Sequence, residues 1–371
     1  MLGFMKIDYL FLYKSMSLEL PKYIIHEFCK YLDKNSVCNF SACNKWLYAK
    51  TKSYIEKNYY FIYSEYTIEY LTKQYSIPKR NHTKLILNSI PSEINWKNIT
   101  HLIFEYDFNQ FVNFNCLINL THLTFGSRFD HSVDFDRLIN LTHLTFGYDF
   151  NQSVNLDCLV NLTHLTFGDS FNQPMNFKLV NLTHLTFGYD FNQPANLNLL
   201  INLTHLTFDH DFNQPVNLDC LINLLHLTFR GNFNHRVNFK LVNLTHLIFG
   251  SKFNQPVNLD CLVNLTHLTF GNDFNQPVNF KLVNLTHLTF RGHFNQPVNL
   301  DRLINLTHLT FGFYFNHHVN LNCLVNLTHL TFGLFFNQYV NLDCLVNLTH
   351  LSFGHIFNQP FNIERINKLD D

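Results

Sequence analysis

From Thr100 onward the chain alternates apolar and polar residues in short bursts separated by turn-forming residues, and the bursts return at a fixed interval. The phrase Thr-His-Leu-Thr-Phe recurs with minor changes, its histidine falling at 101, 122, 143, 164, 184, 205, 226, 246, 267, 287, 308, 329 and 350. Every step is 21 residues except the three of 20, at 164–184, 226–246 and 267–287. Within the burst, Leu165 and Phe167 stand two apart, so on a strand both face one way, into a core, while His164 and Thr166 face the other way. The pattern predicts one short strand per unit, paired in parallel with the strands of neighbouring units. Identical side chains then stack into continuous ladders of Leu, Phe, His and Asn.

The remainder of each unit reads as connection. The three short units carry Phe-Lys-Leu (Phe177-Lys178-Leu179 is one) where others carry four residues such as Leu156-Asp157-Cys158-Leu159. A residue that can be deleted lies in a connecting segment, not a strand. Pro174 and its equivalents at 194, 215, 256, 277, 297 and 360 supply no N–H donor and break any long return helix, so the return path is expected to be extended or short 3₁₀. Asn172 and Asn176 suit side-chain bonding to turn backbone. The whole resembles a leucine-rich repeat shortened to the lower end of its range and loaded with Phe.

Composition supports a filled core: 46% hydrophobic against 14% charged residues, with 40 Phe and 22 His in 371 residues. The net charge of −1 hides an asymmetry, since residues 1–99 hold 14 Lys and Arg against 8 Asp and Glu, and the rest hold 12 against 19. Neither part has the strongly basic stripe of a nucleic-acid binder. The first residues, Met1 to Lys14, are too short and too charged for a membrane span and lack a signal-cleavage site. Nine cysteines form no C-x-x-C pair and read as small hydrophobes in a reducing, intracellular compartment.

No phosphate-cradling glycine loop, nucleophile elbow or zinc-protease motif occurs, so no catalytic residue, cofactor or metal is assigned. The Asp residues of the deletable slot (Asp157, Asp219, Asp260, Asp343) read as solvated turn residues. The histidine ladder is expected to be a hydrogen-bonded structural column rather than a metal site, because it offers one ligand type along one line. Stacked imidazoles should also resist simultaneous protonation. Target recognition should fall to slots that vary between otherwise constant units. One follows each strand and contributes Tyr148, His210, Arg230, Lys252, Arg291 and Tyr314. The other, where Gln-Pro is usual, contributes Arg236, His318 and Tyr339.

The combination Phe-Asn-Gln-Pro-Val-Asn with Leu-Thr-His-Leu-Thr-Phe makes residues 100–362 similar to the FNIP repeat family, which is leucine-rich-repeat-like and whose repeats often follow an F-box. The head fits that pairing: Leu20-Pro21 opens a segment with Ile24, Ile25, Phe28 and Leu32 at the spacing of one helical face, and Trp46 follows. Tyr23 and Asn44 depart from residues common in an F-box. The resemblance implies a repeat β-solenoid of one parallel strand per 20–21-residue coil, carrying a small α-helical F-box-like domain. Its implied divisions are a leader at 1–17, the F-box-like domain at 18–60, a junction at 61–82, a degenerate first rung at 83–99, about thirteen repeats over 100–362, and a cap at 363–371. It further implies that Leu20, Pro21, Ile24, Ile25, Phe28, Leu32 and Trp46 dock the linker subunit of an SCF-type, cullin-based ubiquitin ligase. The repeats would then hold a target protein, with no nucleic acid or membrane involved. The other reading is a ligase-independent scaffold whose head caps the solenoid.

Overall fold

Leu165 and Phe167 are almost completely buried, and His164 and Thr166 lie half-buried on the opposite side of their strand, as period-two alternation requires. The computed structural model describes residues 83–87, 99–176 and 178–360. The chain divides into two units, Met1–Ile86 and Leu87–Asp371. A strand spans Thr83–Leu87. In the second unit, the thirteen histidine-bearing strands run from Ile99–Phe104 to His350–Ser352, each parallel to the next and in histidine-to-histidine register. The register is the same whether the step is 20 or 21 residues, as His164 with His184 and His143 with His164 demonstrate. This is a parallel β-solenoid of the leucine-rich-repeat type.

The return path follows a period of three. Leu156, Leu159, Leu162 and Leu165 all point inward, and turns close between them: the Leu159 N–H donates to Leu156 O at 2.9 Å and the Leu162 N–H to Leu159 O at 3.0 Å. In the short coils the first of these turns is the part that is lost. Leu221 bonds back to Leu218, whereas the corresponding stretch of the next coil runs Phe239-Lys240-Leu241 with Phe239 and Leu241 both buried. The deletion therefore falls in the connection, as expected. The segment after the Pro slot pairs between several coils: Met175–Asn176 pairs with Ala195–Asn196, and isolated bridges join Asn238 to Asn258 and Asn279 to Asn299.

Two phenylalanines per coil account for the unusual Phe content. Phe167 stacks on Phe171 within its coil (centroids 4.0 Å apart), and each continues to its counterpart in the next coil, at 5.7 Å to Phe187 and 6.1 Å to Phe191. Each such pair contributes about 0.5–1.5 kcal/mol beyond simple burial. Coils approach so closely after the strand that Gly168 has no room for a side chain: a Cβ there would lie 1.7 Å from the Gly147 carbonyl oxygen.

The asparagine ladder differs from expectation in one respect. Asn172 does not bond its own turn; its Oδ1 reaches forward to accept the Asn192 N–H at 3.0 Å and the Gln193 Nε2 at 3.1 Å, clamping one coil to the next. The local role falls to the asparagine before the turn, where Asn155 Oδ1 accepts the Asp157 N–H at 3.0 Å. Three Asp residues of the deletable slot are solvent-accessible, as expected, and also form surface ion pairs. Asp157, Asp219 and Asp260 pair with Lys178, Lys240 and Lys281 of the three short coils at 2.5–2.7 Å.

Candidate functional site

The outer face of the sheet is built on a Thr-His relay. Thr163 Oγ1 donates to the Thr142 carbonyl at 3.0 Å and lies 2.9 Å from His164 Nδ1. A hydroxyl has one proton, and it is committed to the carbonyl, so Nδ1 must be the donor to the oxygen. The neutral imidazole is thereby held as the Nδ1–H tautomer. The arrangement recurs along the column, whose rings stack 4.0–4.3 Å apart (His143 on His164 at 4.2 Å). Partial burial, with the neighbouring imidazoles adding to it, holds His143, His184 and His246 down at about 4, and burial lowers the others from His164 to His329. These ten imidazoles, from His143 to His329, are thereby held towards the uncharged form at neutral pH. Among the described residues no three His, Cys, Asp or Glu side chains converge as a metal site.

Beyond the strand lies the variable column. Tyr148, Arg230, Lys252, Arg291 and Tyr314 are exposed and His210 is half-exposed. Stacking of coils brings some of these against neighbours. The His210 ring lies on Tyr189 at 4.4 Å, and its Nδ1 is 2.7 Å from Asp211. Arg230 pairs with Asp209 and Lys252 with Asp273. Tyr314 joins an exposed aromatic patch with Phe313 and Phe335, stacked on Phe335 at 5.1 Å and 5.1 Å from His293. The Gln-Pro slot separates into two positions with different duties. His235 and His317 replace Gln and, like it, bond the preceding coil, through Nε2 to the carbonyls of Asn213 and Asn295. Arg236, His318 and Tyr339 replace Pro and are exposed.

Sequence reasoning misses one column altogether. The residue before each turn asparagine is Ile or Val in twelve successive coils, from Ile118 to Val346, and all twelve are exposed. Between this aliphatic ridge and the His column runs a groove walled by turn asparagines and relay threonines, with segments of about 950 and 660 Å³ that share Leu225 and Asn243. The asparagines are fastened from below: Asn161 Nδ2 donates to Ile139 O at 2.9 Å and Asn181 Nδ2 to Val160 O at 2.8 Å. The available signal was an aliphatic residue repeated at a turn slot that ordinarily takes polar ones.

Leu20, Pro21, Ile24, Ile25, Phe28, Leu32 and Trp46 lie outside the described residues, as do the segments 1–17, 18–60, 61–82 and 363–371. Among the described residues no helix is long and apolar enough to cross a membrane.

A parallel solenoid with this repeat geometry belongs to the leucine-rich-repeat-like class, and solved structures agree. The chain is similar to CroV588, described as a novel circular leucine-rich-repeat protein, with 36% identity over 78% of this chain and 52% of that one at a TM-score of 0.52. It therefore spans about half the length of that protein. It shares its fold with an internalin (InlF) from Listeria monocytogenes (19% identity, 74% of this chain, 86% of that one, TM-score 0.60). The functional domain of InlJ from Listeria monocytogenes, which includes a cysteine ladder, is also similar in fold (14%, 74% and 62%, TM-score 0.56). No protein-family model matches the sequence, and no curated protein matches it.

Proposed function

We propose that the chain is a protein-interaction adaptor, the substrate-recognition subunit of an SCF-type ubiquitin ligase. The observation that carries the binding half is the contrast between a constant scaffold and a variable exposed column. Core, relay and clamps repeat coil after coil, while aromatic and basic residues such as Tyr148, Arg230, Arg291 and the Phe313–Tyr314–Phe335 patch change from one coil to the next. Exposed aromatics and arginines are the residue types that anchor protein interfaces. The ligase half is supported by the F-box-like spacing of Leu20, Pro21, Ile24, Ile25, Phe28, Leu32 and Trp46 beside FNIP-like repeats. In this reading the F-box docks the linker subunit, the cullin follows, and the repeats hold the target; the chain performs no chemistry itself.

The test is a pull-down of the full chain and a Leu20→Ala/Pro21→Ala variant, probed for linker and cullin, with circular dichroism on both. Capture by the wild type and loss in the folded variant supports the adaptor. Absence of capture by the wild type overturns the ligase half and leaves a scaffold.

A further inference from the structure

The aliphatic ridge occupies a slot where local structure gives no reason for it. In each coil it is the second residue of a turn closed between inward leucines, as by the Leu162 N–H to Leu159 O bond around Val160. Such positions favour Pro and small polar residues, and β-branching brings no benefit there. Yet Ile or Val fills the slot twelve times in succession at 45–74% exposure. Single exposed aliphatics are ordinary; an unbroken column is not. At roughly 80 Å² apiece the twelve present on the order of 1,000 Å², more than the ~300–600 Å² of the largest patch on a typical monomer. It also meets the ~800 Å² per partner that a stable interface buries.

The adjoining groove is suited to receive such a ridge. Its turn-asparagine and threonine walls carry no charge, and the asparagine amide nitrogens and threonine hydroxyls already bond within the solenoid. An aliphatic side chain entering it leaves the bonded amide N–H and hydroxyl of each coil in place. In the sixth of the twelve coils the relay threonine gives way to Leu225, 36% exposed, where the two groove segments meet. That exchange gives up the hydroxyl which elsewhere bonds a carbonyl and the following His Nδ1. What it adds is apolar surface inside the groove, at the junction of its two segments.

We infer that a second copy of this chain covers this face, the ridge of each copy lying in the groove of the other. Ridge and groove run side by side with the same rise per coil, so a two-fold axis parallel to the solenoid sets every ridge residue against the groove of the same coil in its partner. Ile222 of each copy then meets the Leu225 of the partner subunit. An uncharged face is what self-association requires, since it sets no like charges together.

Sedimentation equilibrium of the full chain up to about 100 µM tests the inference. The wild type is expected at twice its 43.9 kDa chain mass. The variant Ile222→Lys/Val242→Lys/Val263→Lys is expected at the single-chain mass, and at a dilution where the wild type is also monomeric its melting temperature is expected to be unchanged, because lysine fits a half-exposed turn position. Leu225→Thr, which restores the relay, is expected to melt higher and to dimerise about tenfold more weakly. A wild type that stays monomeric throughout, or a triple-lysine variant that still dimerises, overturns the inference. So does a monomeric wild type whose lysine variant melts much lower, which would mean that another part of the same chain covers the ridge.

Discussion

Acidification should destabilise the solenoid through its histidine column. His143, His184 and His246 are held at about 4 in the folded chain against an ordinary 6.5, by partial burial first and by the neighbouring imidazoles second. At pH 5.5 an unfolded imidazole is roughly 90% protonated while one held near 4 is about 3% protonated, so unfolding takes up close to one proton at each. The three sites thus bind between two and three protons on unfolding, and the seven further histidines whose values are lowered add to that uptake. Because the unfolded state binds more protons, the column's contribution is complete above pH 6.5 and is lost progressively as the pH falls towards 4. Each proton is worth about 1.4 kcal/mol per pH unit. The rings are partly solvated, and halving the effect of three sites for screening leaves about 2 kcal/mol per pH unit near pH 5.5. Repeat arrays need not unfold in one step, so the direct assay is proton uptake, titrated in a pH-stat while the chain is unfolded in urea at pH 5.5. Urea midpoints at pH 7.5, 6.5 and 5.5 supply the second readout. An uptake below about one proton per chain, or a midpoint flat across this range, would refute the reasoning.

Other outcomes follow from the same geometry. Thr163→Val removes the hydroxyl shared by the Thr142 carbonyl and His164 Nδ1 and should cost about 1–3 kcal/mol in urea unfolding. The same exchange at Thr166, whose hydroxyl makes no hydrogen bond among the described residues, should cost little; equal costs would discount the relay. Gly168→Ala should cost about 3 kcal/mol or more, since its Cβ would meet the Gly147 carbonyl, and a variant as stable as wild type would contradict that close approach. Asn172→Ala loses two bonds to the next coil and should cost about 1–2 kcal/mol, read as a lower urea midpoint at unchanged slope.

Much of the fold was legible because its signals are local. Leu165 and Phe167, two apart, can share a face only on a strand, and the 20-residue units identified the deletable slot before any coil was seen. The variable residues were legible as a list but not as an arrangement. That His210 lies on Tyr189, or that Tyr314 and Phe335 stack into one patch, depends on side chains about twenty residues apart meeting between adjacent coils. The Gln-Pro slot is one position in the sequence pattern and two in the solenoid, because His Nε2 can take over the hydrogen-bonding duty of Gln while the residues that replace the exposed Pro face solvent.

By itself the sequence determined the repeat, the parallel strand of each coil and the inward Leu and Phe, since repetition and period-two alternation each leave one way to bury the same residues. Only the tertiary structure decided which of two adjacent aliphatics faces out. In Leu159-Val160 both are apolar, and the turn that buries Leu159 is what turns Val160 to solvent. It also decided that ten of the thirteen stacked histidines are held towards the neutral form, because burial and then neighbouring rings set a ring's charge, and the solenoid places those rings about 4 Å away while the sequence places them twenty residues away.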